Sequence, residues 1–198
     1  MPGGFQVLPG TYKLVISYAR TSDSTFVTVK DDPRLGNRND IKIAQRKMYT
    51  RLIKSSSKLT DGMDRLTEAE EVCTKLTAQL KGLEGKETDS LKKTTTKMQD
   101  EIKAIREMII GKTSDKQGLT RSPFEVTVMT TLQTAQQSIG SKMVAPGKAE
   151  ETLVENAEKS VTGVIQKINS FFMDSWSKYR SLVESTQLKL FKEYKPIE

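Results

Sequence analysis

Lys47, Arg51, Lys54 and Lys58 lie in a stretch, Ile41–Lys58, that holds six basic residues and no acidic one. Spacings of three and four residues place these cations along one face of a helix. Such a stripe can bind a polyanion or an acidic protein surface. The simpler account is a solvated face, or one neutralised by acids of a neighbouring helix. Tyr49 is the aromatic interleaved in it, and no nucleic-acid module surrounds it, so nucleic acid is the least favoured partner. The whole chain of 198 residues carries a net charge of +7. Residues 41–86 hold ten bases against six acids, so most of the excess is a patch rather than a general property.

The other candidate groups have structural explanations. Histidine is absent, which removes the commonest general base and the commonest zinc ligand. The one cysteine, Cys73, falls in a leucine series and has no imidazole to activate it. Gly111-Lys112-Thr113 resembles the end of a phosphate-binding loop, but the glycine that loop needs five residues earlier is Arg106. Glu68, Glu70 and Glu71 cannot all face one point on a helix. Glu150, Glu151, Glu155 and Glu158 fall in the first turns of another, where the dipole favours them. Both groups read as solvated faces. Phe171, Phe172, Trp176 and Tyr179 are spaced as core, with Phe191 and Tyr194 able to join them. Asp31-Asp32-Pro33-Arg34 reads as a rigid strand-to-helix junction, because Pro33 bars Asp32 from the helical region. Asp31 or Asp32 can pair with Arg34 or accept amide hydrogens of the turn. No catalytic residue, metal or cofactor is expected.

These groups need elements to position them. Thr11–Tyr18 and Thr25–Lys30 read as two strands of a hairpin with ARTSDS as its turn. From Asn39 the period changes to seven. Gln45, Leu52, Leu59, Leu66, Cys73 and Leu80 form one series, and Met48, Ser55, Gly62, Ala69, Leu76 and Leu83 the other. A helix of roughly 40 residues follows, about 60 Å long, capped by Asn39 or Asp40 and ended by Gly82 and Gly85. A second fits Thr88–Ile110. A third starts after Ser122-Pro123 and carries Phe124, Val128, Leu132, Ala135 and Ile139. A fourth runs from Gly147 to Tyr179 or beyond. A last turn through Leu190 and Phe191 would fold back on the bundle. With 35% hydrophobic and 29% charged residues, each helix can bury only a stripe. The fold class is therefore mainly α: an antiparallel up-down four-helix bundle with long first and last helices, preceded by a β-hairpin. No apolar run is long enough for a membrane span. The start, MPGGFQVLPG, lacks a signal-peptide pattern and fits a mature or cut fragment.

The Pro9-Gly10-Thr11-Tyr12 turn, Val27 and Val29 in the second strand, then Asp32-Pro33-Arg34 before long helices form a recognisable order. Asn169, Trp176, Tyr179 and Leu190-Phe191 extend it. Together they resemble the C-terminal region of bacterial BNR (Asp-box), sortilin-type β-propeller proteins, which are exported and often labelled glycosyl-hydrolase-like. The resemblance covers most of the chain. It implies that residues 1–36 end an Ig-like or fibronectin-like sandwich and that residues 37–198 are the helical bundle that follows. The propeller, its Asp-box repeats and the earlier sandwich strands have no counterpart here, so no catalytic residue is carried over. The expected role is a non-catalytic accessory or interaction domain in a periplasmic, cell-surface or secreted protein. Its expected partners are the propeller and Ig-like parts of its own parent. One alternative is part of a glycoside hydrolase whose active site lies in the propeller; a second is polyanion binding through the basic stripe. The free hairpin edge also allows a homodimer.

Overall fold

The computed structural model describes residues 7–36, 38–112 and 126–186. Thr113, Ser122, Pro123, Phe124, Leu190, Phe191 and Tyr194, which entered the expectations above, lie outside these. The chain is mainly helical, a bundle of four helices preceded by a two-stranded antiparallel hairpin. Strand β1 is Gly10–Tyr18 and β2 is Thr21–Val29. They close on the pair Tyr18–Thr21, so the turn is only Ala19 and Arg20. This is tighter than the six-residue turn expected, because Thr21–Ser24 join the ladder despite their polarity. Ala19 takes a positive φ of 52° to make the turn, as two-residue hairpin loops require.

A short 3₁₀ turn, Pro33–Leu35, leads to α1, Asn39–Leu80. Helix α2 is Lys86–Ile110 and α3 is Val128–Ser141. The last rod begins as α4, Lys148–Phe171, passes through a π turn at Phe172–Trp176, and continues as α5, Ser177–Ser185. Helix α1 starts one residue earlier than an Asn39 cap would place it, with Arg38 at the cap position. Helix α3 is capped by Thr127, whose side chain accepts from the Thr130 amide while the Thr130 hydroxyl accepts from the Thr127 amide.

The heptad series becomes the core. Leu52, Leu59, Leu66, Cys73 and Leu80 are buried on α1, as are Gly62, Ala69 and Leu76. On α2 the buried set is Leu91, Thr95, Met98, Ile102, Ile105 and Ile109. Helix α3 contributes Val128, Leu132, Ala135 and Ile139, and α4 contributes Val154, Ala157, Val161, Val164, Ile168 and Phe171. Phe172 and Trp176 pack half-buried beside them, and Tyr179 is buried.

Residue pairings give the course of the chain. Arg51 meets Glu158 and Gly62 meets Ile168, so numbers rise together and α1 and α4 are parallel. Arg106 of α2 bonds to Thr67 and Glu70, while Gln45 and Tyr49 of α1 donate to carbonyls of Ile139 and Gln136 on α3. Helix α2 therefore covers the C-terminal half of α1 and α3 the N-terminal half. Both are antiparallel to α1. Their 25 and 14 residues together nearly equal α1's 42, so the two middle helices descend one after the other between the long ascending rods.

Candidate interaction surface

The hairpin stands apart from the core. Every residue of both strands except Val29 is exposed. The ladder pairs Tyr12 with Val27, Leu14 with Thr25 and Ile16 with Asp23. Alternation along each strand then gathers Tyr12, Leu14, Ile16, Tyr18 and Val27 on one side of the sheet. Tyr18 is 85% exposed and Ile16 65%. The opposite side carries Thr11, Lys13, Val15, Ser17, Ser22, Ser24 and Phe26. A two-stranded sheet is marginal alone in water, which makes this apolar face the candidate contact surface of the hairpin.

The Asp31-Asp32-Pro33-Arg34 junction is built as a brace. Asp32 caps the 3₁₀ turn, accepting from the Arg34 amide at 3.0 Å, and takes the Arg34 guanidinium in a fork at 3.0 and 2.7 Å. The fork with Arg34 is also what holds the Asp32 carboxyl below its ordinary range. Asp31 points the other way and accepts from Lys42 in the first turns of α1 at 2.5 Å. The two adjacent acids thus tie the strand end to the turn and to the helix, one each. At the same end of the bundle, Gln45 also donates to the Lys142 carbonyl in the α3–α4 corner. Three more large apolar residues, Ile43, Met143 and Val144, are exposed there.

The basic stripe is divided by the structure. Arg51 is committed to α4: its guanidinium takes Glu158 through two nitrogens, at 3.0 and 2.7 Å, and a third nitrogen takes Glu151. These bonds hold the Glu158 carboxyl below its ordinary range. Arg51 is therefore a structural clamp and is not available to a partner. Lys47, Lys54 and Lys58 are exposed, and none makes an ion pair or side-chain hydrogen bond among the described residues. Tyr49 is turned to the α3 side, donating to the Gln136 carbonyl at 3.2 Å, so it is no stacking platform beside them.

Two acidic groups read as solvated faces turn out to be engaged. Glu150 is only 3% exposed. Its carboxylate accepts from Lys142 at 2.5 Å, Ser138 at 3.1 Å and the Gly147 amide at 2.8 Å. Lys142 first, then the Gly147 amide, lower its pKa to about 2. Glu70 pairs with Arg106 across α1 and α2 at 3.0 Å. Cys73 is buried, and burial pushes its thiol up, away from the nucleophilic form. No group of three or more metal-ligating side chains occurs among the described residues, and no helix is long and apolar enough to cross a membrane.

The π turn was not foreseen. It lies at the end of an open groove of about 650 Å³ between α2 and α4, floored by Ile105 and Phe171 and edged by Glu101, Lys167 and Asp174. A signal for it does exist in the sequence: Val154, Ala157, Val161, Val164, Ile168 and Phe171 step by three and four, and the next step, from Phe171 to Trp176, is five. Comparison of the chain with known protein families, curated proteins and solved structures finds no match.

Proposed function

We propose that the chain is a non-catalytic interaction module, the C-terminal accessory region of a larger exported β-propeller protein. In this reading the hairpin supplies the closing strands of an Ig-like sandwich and the bundle stands outside it, held at a fixed angle by the Asp31–Lys42 and Asp32–Arg34 brace. The observation that carries the reading is the hairpin's apolar face, which nothing in the described chain covers. The sequence resemblance to sortilin-type propeller proteins supports the identity of the missing strands.

Size argues for a sandwich rather than a second copy. Two nine-residue strands present a face of about 300 Å². Two such faces packed together bury roughly 600 Å², well short of the 1,200–2,000 Å² of a stable interface. Additional strands of one sheet and a second sheet packed on it would cover both the edges and the face.

The test is amide hydrogen exchange over residues 11–28, in this chain and in a longer product that includes the coding sequence upstream. Fast exchange in the first and strong protection in the second is expected. Equal, fast exchange in both, or an upstream sequence with no β-domain, overturns the proposal. So does hydrolysis of a glycan by this chain alone that one carboxylate substitution abolishes.

A further inference from the structure

Helix α1 carries an exposed cationic ridge whose three lysines make no ion pair among the described residues. Seven residues separate Lys47 from Lys54 and four separate Lys54 from Lys58. At 100° per residue the three fall within about 40° of one another around the helix, spread over about 16 Å of its length. The acids that face α1 from α4 in this region, Glu151 and Glu158, are already occupied by Arg51. The clamp therefore does two things: it joins the helices, and it removes the two carboxylates best placed to neutralise the ridge. Other charges around it are Arg46 on the same helix, Glu155 and Lys159 on α4, and Asp61 one turn beyond Lys58. Asp61 closes the all-basic run at that end.

We infer that the Lys47–Lys54–Lys58 ridge of α1 binds a linear anionic polysaccharide, one bearing sulfate or carboxylate groups along its length. A folded acidic protein would need an apolar anchor at the centre of its contact; Thr50, Ser57 and Asp61 flank the ridge, while the exposed Ile43 lies a turn beyond its Lys47 end and the exposed Ile53 about 100° round the helix from Lys54. Single-stranded nucleic acid would need an exposed aromatic on which to stack, and Tyr49 is bonded on the other flank. Three point charges in a line, with flexible stems and hydroxyls beside them, suit a ligand that is itself a line of charges and hydroxyls. The ridge is independent of the hairpin and of the proposed parentage.

The probe is heparin, titrated against the full chain at several salt concentrations, with alginate and duplex DNA as comparators. Retention on heparin should weaken as salt rises, with a slope in log–log form of about three or less, set by three released counterions. The triple variant Lys47→Glu, Lys54→Glu, Lys58→Glu should lose affinity at least tenfold while keeping its helical signal. A charge-matched control, Lys86→Glu, Lys103→Glu, Lys178→Glu, alters exposed lysines elsewhere and should lose less than threefold. Equal losses in the two triples would reduce the effect to net charge and overturn the site. Duplex DNA binding more tightly than either polysaccharide, or no retention of the wild-type chain at low salt, would overturn it as well. Loss in the ridge triple with hairpin exchange unchanged leaves the parentage proposal untouched.

Discussion

A β-carbon placed on Gly62 would lie 2.9 Å from Cδ1 of Ile168 and 3.1 Å from Cδ1 of Ile165. Gly62 is thus a point of close approach between the two parallel rods, α1 and α4. Glycine in a helix interior costs about 1 kcal/mol relative to alanine, so its presence here needs the contact to explain it. Gly62→Ala gains that propensity and crowds two isoleucine tips, which can shift a little. The expected net change is small, within about 1 kcal/mol of zero. Gly62→Leu has no such escape and should cost about 2 kcal/mol or more. Urea melts of both variants decide this; a neutral leucine would mean that the rods are farther apart.

Glu150 gives a pH signature. Its folded-state pKa is lowered from an ordinary value of 4.5 to about 2, by Lys142 first and the Gly147 amide next. A depressed carboxylate stabilises the fold above its unfolded value and loses that contribution as pH falls through the folded one. The affected window is therefore pH 4.5 down to 2. Glu150→Gln should flatten the decline in stability across that window, while being less stable than the wild type at pH 7. Chemical denaturation at closely spaced pH values would show the two curves converging in acid. Parallel curves would mean that Glu150 is not the depressed group.

Much of this fold was legible because the heptads are long. Leu52, Leu59, Leu66, Cys73 and Leu80 repeat five times, and a repeat of that length has only one comfortable burial. The fate of α3 was not legible. Seventeen residues separate Ile110 from Val128, enough either to turn the chain back or to carry it onward, and periodicity is the same for both. Glu150 was misread for a related reason. A glutamate in a first turn looks like a dipole partner, and its burial depends on Lys142 and Ser138, which the α3–α4 corner brings to it. Arg51 was read with its stripe as either solvated or neutralised by acids of a neighbouring helix, and those acids could not be named because they lie 100 and 107 residues away.

Arg51 and Glu158 allow a direct measurement of the clamp. Both side chains are about one-third exposed, so solvent screening reduces what the fork can contribute. A double-mutant cycle of Arg51→Ala and Glu158→Ala should return a coupling energy of about 0.5–1 kcal/mol. The coupling should shrink in high salt. Coupling indistinguishable from zero at low salt would mean that the pair does not persist in solution.

Tyr179 and Thr95 join α5 to α2 through hydroxyls 2.9 Å apart, beside Cys73. The Thr95 proton goes to the Leu91 carbonyl at 2.8 Å, so the tyrosine donates. Burial pushes the Tyr179 pKa up from 10.0 to about 12. A phenol whose folded value is raised contributes stability in full below its unfolded value and loses it as pH rises through the folded one. The wild type should therefore weaken between pH 10 and 12, and Tyr179→Phe should lack that component. At neutral pH the variant should cost about 0.5–1.5 kcal/mol, the worth of one hydrogen bond. Cys73 provides the companion readout, since a buried, protonated thiol should react with a thiol reagent only as fast as the bundle opens. Rapid labelling of native protein would show that this seam is not closed.

The hairpin should be energetically separate from the bundle. Leu14 and Ile16 are exposed and bury nothing against a helix, so Leu14→Thr with Ile16→Thr removes no core contact. Threonine is itself β-branched, a shape that strands favour. The helical melt of this double variant should match the wild type within about 0.5 kcal/mol, as surface substitutions usually do. By contrast Asp31→Ala should loosen the junction, because Lys42 loses its partner at the start of α1. Its effect should appear as faster amide exchange over residues 39–44, with the midpoint of the global melt little changed. If the threonine pair lowered the helical melt by 1 kcal/mol or more, the hairpin would have to pack on the helices in solution. Its apolar face would then be part of the core rather than a surface kept for a partner.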